Sequence, residues 1–187
     1  PRGRDRPRRD GRRHAPLSAR PRSEAPKTPS EALAPVKIHA PSERNRKLAA
    51  LLAAANADTQ LKARWLAQQS TAERLGMSDH SWVHLQIVLN MALRLFRMLH
   101  KQGVQSASER DHAMNPSDAE VIIAGACLTH DLGMSIHRVD HEAYSLFLAA
   151  DALDRLLGDI YEEPERTIVA SEIMHAIIGH RSAGRPL

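Results

Sequence analysis

The chain has 187 residues and a single cysteine, Cys127. An intrachain disulfide is excluded, and so is a zinc finger built on paired cysteines. A reducing compartment, the cytoplasm, is the expected setting. Cys127 lies in an apolar run and reads as a small core residue. Long apolar stretches are also missing. None reaches the roughly 18 residues that would suggest a membrane span. Asn90, Arg94 and Arg97 interrupt one run, and Thr129 and His130 interrupt another. No membrane partner is expected. The N-terminal region lacks the apolar segment of a secretory signal. There is no glycine-rich phosphate loop of the P-loop or dinucleotide-binding type, no HExxH motif, no β-type alternation and no internal repeat. The first residue is Pro1 rather than Met, so the natural start is expected to lie upstream.

Charge is unevenly distributed. Residues 1–31 hold ten basic and four acidic residues, whereas residues 32–187 hold 16 basic and 18 acidic. The basic balance therefore belongs to the tail, and the remainder lacks the electrostatic footprint that nucleic-acid binding needs. Eight of the eleven prolines lie in residues 1–41. Such a segment cannot bury enough apolar surface to offset the entropy of ordering it. Residues 1–41 are expected to form a disordered basic Pro/Arg-rich tail, solubilising or weakly adhesive to anionic surfaces, and residues 42–187 an all-α domain.

Apolar periodicity and end signals predict six helices. The first spans about 42–56 with Ser42 as cap. The second spans about 58–75, starting at Asp58, with Leu61, Trp65, Ala72 and Leu75 as apolar positions and Gly76 as its stop. The third spans about 79–102, ended by Gly103, with a stripe of Trp82, Leu85, Val88, Leu89, Ala92, Leu95, Phe96 and Leu99. Residues 103–113 form a polar break, either a plain loop or part of a substrate lid. The fourth helix begins near Asn115–Pro116–Ser117, with a capping box from Asn115 and Asp118 or from Ser117 and Glu120, and runs to Gly133. The fifth covers about 138–158, and the sixth starts after Pro164.

Histidine and aspartate stand out on this scaffold. His130–Asp131 ends the apolar run AGACLTHDLGM, 46 residues after His84, which is itself on an apolar-periodic segment. Imidazole and carboxylate are costly to bury alone, and a divalent cation supplies the counter-charge. His80 precedes His84 by one helical turn, so both can project from one side. His137 and His141 have the same spacing. His175 and His180 are five residues apart, so one of them is a candidate ligand and the other a supporting group, or the helix ends between them. A carboxylate can bridge two ions about 3.5–4 Å apart, and Asp131 is the best candidate for that role.

The run from His84 in HSWVHLQIVLNMAL to the doublet in THDLGMS resembles the HD-domain metal-dependent phosphohydrolases, whose pattern is H…HD…D on a helical core. The resemblance covers about residues 78–187. It implies a hydrolase of phosphomonoesters or phosphodiesters, nucleotides among them, acting through metal-activated water. The implied cofactor is one or two divalent transition-metal ions: Mn, Co, Ni, Zn or Fe. On this reading His84, His130 and Asp131 hold the first ion. Asp131 bridges to a second ion held by His141 and His180, with His175 and His80 as further ligand candidates. Arg138 and Arg181 are candidates to clamp a phosphate of a small phosphorylated substrate.

Two features depart from the family pattern. No Asp follows Asp159, so the family's last aspartate is expected beyond Leu187 and the domain is expected to be C-terminally incomplete. The end GHRSAGRPL loosely resembles the HHE…GYP segment of two-metal cyclic-di-GMP phosphodiesterases, but with one histidine and no GYP, and His80 stands where that branch has an acidic ligand. Two alternatives to the hydrolase remain open: a di-iron oxygenase of the same fold, and a non-catalytic helical signalling or dimerisation module. Exposed apolar helix faces would allow a homo-oligomer.

Overall fold

The computed structural model describes residues 28–180, and within them all regular structure is helical, with no strand. The helices are α1 (Pro29–Leu33), α2 (Arg46–Ala57), α3 (Thr59–Arg74), α4 (Trp82–Lys101), α5 (Ala107–His112), α6 (Pro116–Thr129), α7 (His141–Leu157) and α8 (Glu165–Gly179). A short 3-10 turn, Leu132–Ser135, follows α6. No helix among the described residues is long and apolar enough to cross a membrane.

Local chemistry accounts for most helix ends. Asp58 Oδ1 accepts from the Leu61 amide at 2.9 Å and starts α3. At the other end of α3, Gly76 adopts φ +65°, and the Met77 amide reaches back to the Ala72 carbonyl at 2.9 Å. This left-handed residue ends the helix, a role that favours glycine. Gly103, at φ +85°, stops α4 in the same way. Of the two capping boxes open from sequence, α6 uses Asn115 with Asp118, and Pro116 occupies its first turn.

Several expected boundaries move. The cap of α2 is Asn45, not Ser42, because Asn45 Oδ1 reaches the Leu48 amide at 3.0 Å. The side-chain amide of Asn45 also bonds Ser117 O and Glu120 Oε2 and so ties α2 to α6. Within the expected loop 103–113, Ser106 and Glu109 make a capping box that starts α5. Helix α7 begins at His141 rather than 138, because Asp140 has φ +57°. Residues 28–41, assigned by composition to the tail, are ordered against the domain: Val36 and Ile38 are buried. Asn56 pairs with both the amide and the carbonyl of Ile38, at 2.8 and 2.9 Å.

Helix α6 is the central element. Val121, Ala124, Cys127, Leu128 and Thr129 are all buried, with α4, α8 and α2 packed around them. Small residues allow the close approach: a Cβ on Gly125 would lie 2.5 Å from Ile173 Cδ1 of α8. On α4 the buried face is Leu85, Leu89 and Leu93. Each such leucine contributes roughly 1.5–3 kcal/mol of burial. Leu95 and Leu99, expected on this stripe, are 57% and 44% exposed, and Leu75 of α3 is 54% exposed. Helix α4 is apolar on two sides, and α6 covers only one. Burial pushes the Cys127 thiol up to about 12, which agrees with a core role.

Candidate metal centre

The centre forms where α6 ends. His130 is the first residue past the helix, and its amide still bonds the Ala126 carbonyl at 2.9 Å. Asp131 follows in the turn and is 6% exposed. Four imidazoles surround it, three of them brought by neighbouring helices and the fourth its own neighbour His130. His84 Nε2 of α4 lies 3.9 Å from Asp131 Oδ2, and His130 Nε2 lies 3.2 Å from the same oxygen. The other oxygen, Oδ1, faces His141 Nε2 of α7 at 3.1 Å and His180 Nε2, at the end of α8, at 3.7 Å. Each carboxylate oxygen is thus shared by a pair of histidines.

Three of the rings are oriented by backbone. His130 Nδ1 lies 3.0 Å from the Cys127 carbonyl oxygen, His141 Nδ1 2.9 Å from that of Arg138, and His180 Nδ1 2.6 Å from that of Ile177. A carbonyl oxygen only accepts, so each Nδ1 carries a proton, and in the neutral ring Nε2 is then the free lone pair that a metal can take. Those lone pairs converge: His141 Nε2 and His180 Nε2 are 3.3 Å apart beside a carboxylate. Lone pairs facing each other across an anion repel unless a proton or a metal cation lies among them. Metal-ligating histidines in general have their second nitrogen fixed in this way.

The spacing suits a metal. Two ligands each about 2.1 Å from a tetrahedral ion are about 3.4 Å apart. The contacts here run from 3.1 to 3.9 Å and bracket that value. Among the described residues, two groups have every ligand atom within 4.8 Å of the others: His84, His130 and Asp131, and Asp131, His141 and His180. Asp131 belongs to both. The residues therefore fit one or two divalent ions.

Electrostatics sharpen the picture. Burial resists ionisation of Asp131, but hydrogen bonds and charge from His130 and His141 outweigh it and hold the carboxyl well below its usual range. Burial lowers the pKa of His84 and of His180, favouring the neutral form that a metal requires. His141 is raised, chiefly by its hydrogen bond with Asp131, so without a metal a proton on Nε2 fills the place between ring and carboxylate.

Other candidates from the sequence lie elsewhere. Helix α4 starts at Trp82 with Ser81 as its cap, so His80 precedes the helix and does not share its rotation with His84. The His80 ring lies 5.3 Å from that of His84, its Nδ1 bonds Ser78 O, and it belongs to neither ligand group. His175 lines a separate cavity of about 260 Å³ with Ser108, Ile122 and Glu172. The Arg138 guanidinium lies on the Met77 sulfur, and what Arg138 offers the centre is its carbonyl, which orients His141. Arg181 lies outside the described residues. Asp151 is engaged by Arg64 and Arg155.

The supporting groups carried no readable sequence signal. Trp65 Nε1 donates to the Leu128 carbonyl at 2.9 Å and steadies the end of α6. Gln68 and Gln69 of α3 hold the carbonyl and amide of His80, just ahead of α4. Ser145 joins the turn to α7. These contacts span 11 to 63 positions of sequence and follow no local pattern.

In comparisons with known proteins, no family model matches the chain. No solved structure matches it either. An uncharacterised protein of Methanocaldococcus jannaschii is 34% identical over 107 residues, which cover 57% of this chain and 41% of that relative. The matched region is thus about two-fifths of the relative's length. Together with the geometry, this describes an all-α domain with His/Asp clusters able to coordinate metal ions, loosely resembling a metal-binding fold.

Proposed function

We propose that this chain carries the metal centre of an HD-type phosphohydrolase, acting in the cytoplasm on a small phosphomonoester or phosphodiester, nucleotide-like in character. The domain would comprise residues 42–187 with the packed 28–41 segment. One observation carries the reading: a single buried carboxylate, Asp131, offers each of its oxygens to a different pair of imidazoles. Divalent ions bound there would supply Lewis-acid charge and water acidified enough to act as a nucleophile at neutral pH.

The chain's own residues do the holding and shielding. His84, His130 and Asp131 would grip one ion, and Asp131, His141 and His180 the other. Three protein ligands for each ion leave positions open for water and phosphate oxygens, as a hydrolytic site needs. Imidazole-rich ligation favours Mn, Co, Ni, Zn or Fe over Mg and Ca. The backbone carbonyls of Cys127, Arg138 and Ile177 keep three Nε2 atoms aimed inward, and the packing of α6 excludes water from the back of the site.

The test is release of phosphate or nucleotide from a panel of nucleotides, cyclic dinucleotides and simple phosphomonoesters. Turnover is expected only with Mn²⁺, Co²⁺ or a similar ion. Full turnover in excess chelator after thorough metal stripping would overturn the proposal. The same donor set suits di-iron chemistry, so the panel is run anaerobically as well, and turnover that requires oxygen would favour the oxygenase. A protein that binds metal but turns over no substrate would favour a non-catalytic module.

A further inference from the structure

Ser145 belongs to neither ligand group, yet it is fully buried beside the centre. It follows His141 on α7 by one helical turn, so the two side chains leave the same face. Its hydroxyl oxygen lies 2.5 Å from the His130 carbonyl oxygen and 2.8 Å from the Gly133 amide nitrogen. The carbonyl only accepts and the amide only donates. The hydroxyl proton is therefore committed to His130 and a lone pair to Gly133, and these two backbone groups flank Asp131 on either side. The joint has no slack. A Cβ on Gly133 would collide with the His141 carbonyl oxygen and lie 2.6 Å from the Ser145 amide nitrogen.

We propose that Ser145 is a positioning residue: it clamps the His130–Gly133 turn to the start of α7 and so sets the separation between the two ion positions. The inference rests on the metal reading above. The first ligand group draws only on α4 and the end of α6, and the carbonyl of Leu128 is separately anchored by Trp65 of α3. The second group forms only if α7 delivers His141 to the far oxygen of Asp131. Loss of the Ser145 hydroxyl therefore loosens α7 against the turn while leaving His84, His130 and Asp131 together.

The experiment titrates Mn²⁺ into metal-stripped protein by calorimetry, with electron paramagnetic resonance to detect coupling between neighbouring ions. Wild type is expected to take two ions with a coupled signal. In Ser145→Ala the second ion should weaken by about 10–100-fold, the range for groups that orient ligands, while the first changes little. The coupled signal should be lost at matched occupancy. Ser145→Cys keeps a weaker and bulkier partner, whose sulfur needs longer contacts than the 2.5 and 2.8 Å found here, so it should widen the joint and show a partial loss of second-ion affinity, and it serves in place of the alanine variant if that fails to fold. A purely structural role would lower the melting temperature and leave both affinities of the folded protein unchanged, which would overturn the proposal. So would equal weakening of both ions. Wild-type protein that binds no Mn²⁺ would overturn the metal reading itself, and this inference with it.

Discussion

Helix α6 has a buried aspartate at each end, Asp118 in its first turn and Asp131 just past its last. Asp118 sits where the helix dipole welcomes negative charge. It receives Lys47 Nζ at 2.6 Å, the Tyr161 hydroxyl at 2.8 Å and the Asn115 amide at 3.1 Å. Burial opposes its charge, but these donors prevail and hold the carboxyl below its usual range. Asp131 sits at the end where the dipole opposes it, and its neighbours are imidazoles whose Nε2 atoms face inward. Both carboxylates are buried to the same degree, so burial alone does not mark a site. The kind of partner does: permanent donors make a structural carboxylate, while imidazoles gathered around an anion need a proton or a metal cation among them.

The largest expected effect separates the two directly. Asp131→Ala removes a ligand from both groups and should lower metal affinity by more than about 100-fold, beyond the range for supporting residues. Elemental analysis of the purified variant should find little metal. Asp118→Asn should retain the wild-type metal content. Metal retained by the Asp131 variant would end the bridging role.

Stability should show the reverse contrast. Asp118→Asn keeps an oxygen for Lys47 and Tyr161 but removes the charge that pairs with Lys47 and sets an NH2 donor against the Asn115 amide, so denaturant unfolding of metal-free protein should show a loss of about 2–3 kcal/mol, at the lower end for buried pairs because Lys47 is partly exposed. A loss as large from removing His84 in metal-free protein would erase the distinction.

The pH windows should also differ. The folded-state pKa of Asp118 is depressed, so its contribution to stability is present above the unfolded value of about 3.9 and is lost as pH falls through the lower folded value. Metal binding should fail earlier on acidification, as protons compete for the imidazoles around and below pH 6.5. Unfolding and metal affinity measured across pH 3–8 should give two separate limbs. Coincident limbs would mean that the metal is lost only through unfolding.

The smallest effect is expected at Lys47→Met. Its side chain is 39% exposed, so the pair with Asp118 should contribute about 1 kcal/mol or less, with metal content unchanged.

Much of the local architecture was readable because it depends on residues three or four positions apart. Asp58, Asn115 with Asp118, Gly76 and Gly103 act on their own helix ends, and each does so in the fold. The buried segment around Val36 and Ile38 was hidden by the surrounding prolines, because its partners are Asn56, 18 residues from Ile38, and Gln86, 47 residues from His39. The exposed Leu95 and Leu99 were unreadable for a related reason: periodicity identifies an apolar face but not what covers it.

The sequence by itself determined that this chain is helical, that α6 is apolar enough to be central, and that His130–Asp131 ends it two residues before a glycine. Those properties follow from composition and short-range spacing. Tertiary structure alone decided which histidines meet Asp131. Residues five apart on a helix point about 140° away from each other, so α8 directs His180 to the carboxylate and leaves His175 on a different cavity. The late start of α4 likewise separates His80 from the turn that carries His84. The pairing of each Asp131 oxygen with two imidazoles required α4, α7 and α8 to arrive together at the end of α6, held there by contacts such as Ser145 with His130 and Gly133. Convergence of that kind is a property of packing in three dimensions, and no spacing within one helix encodes it.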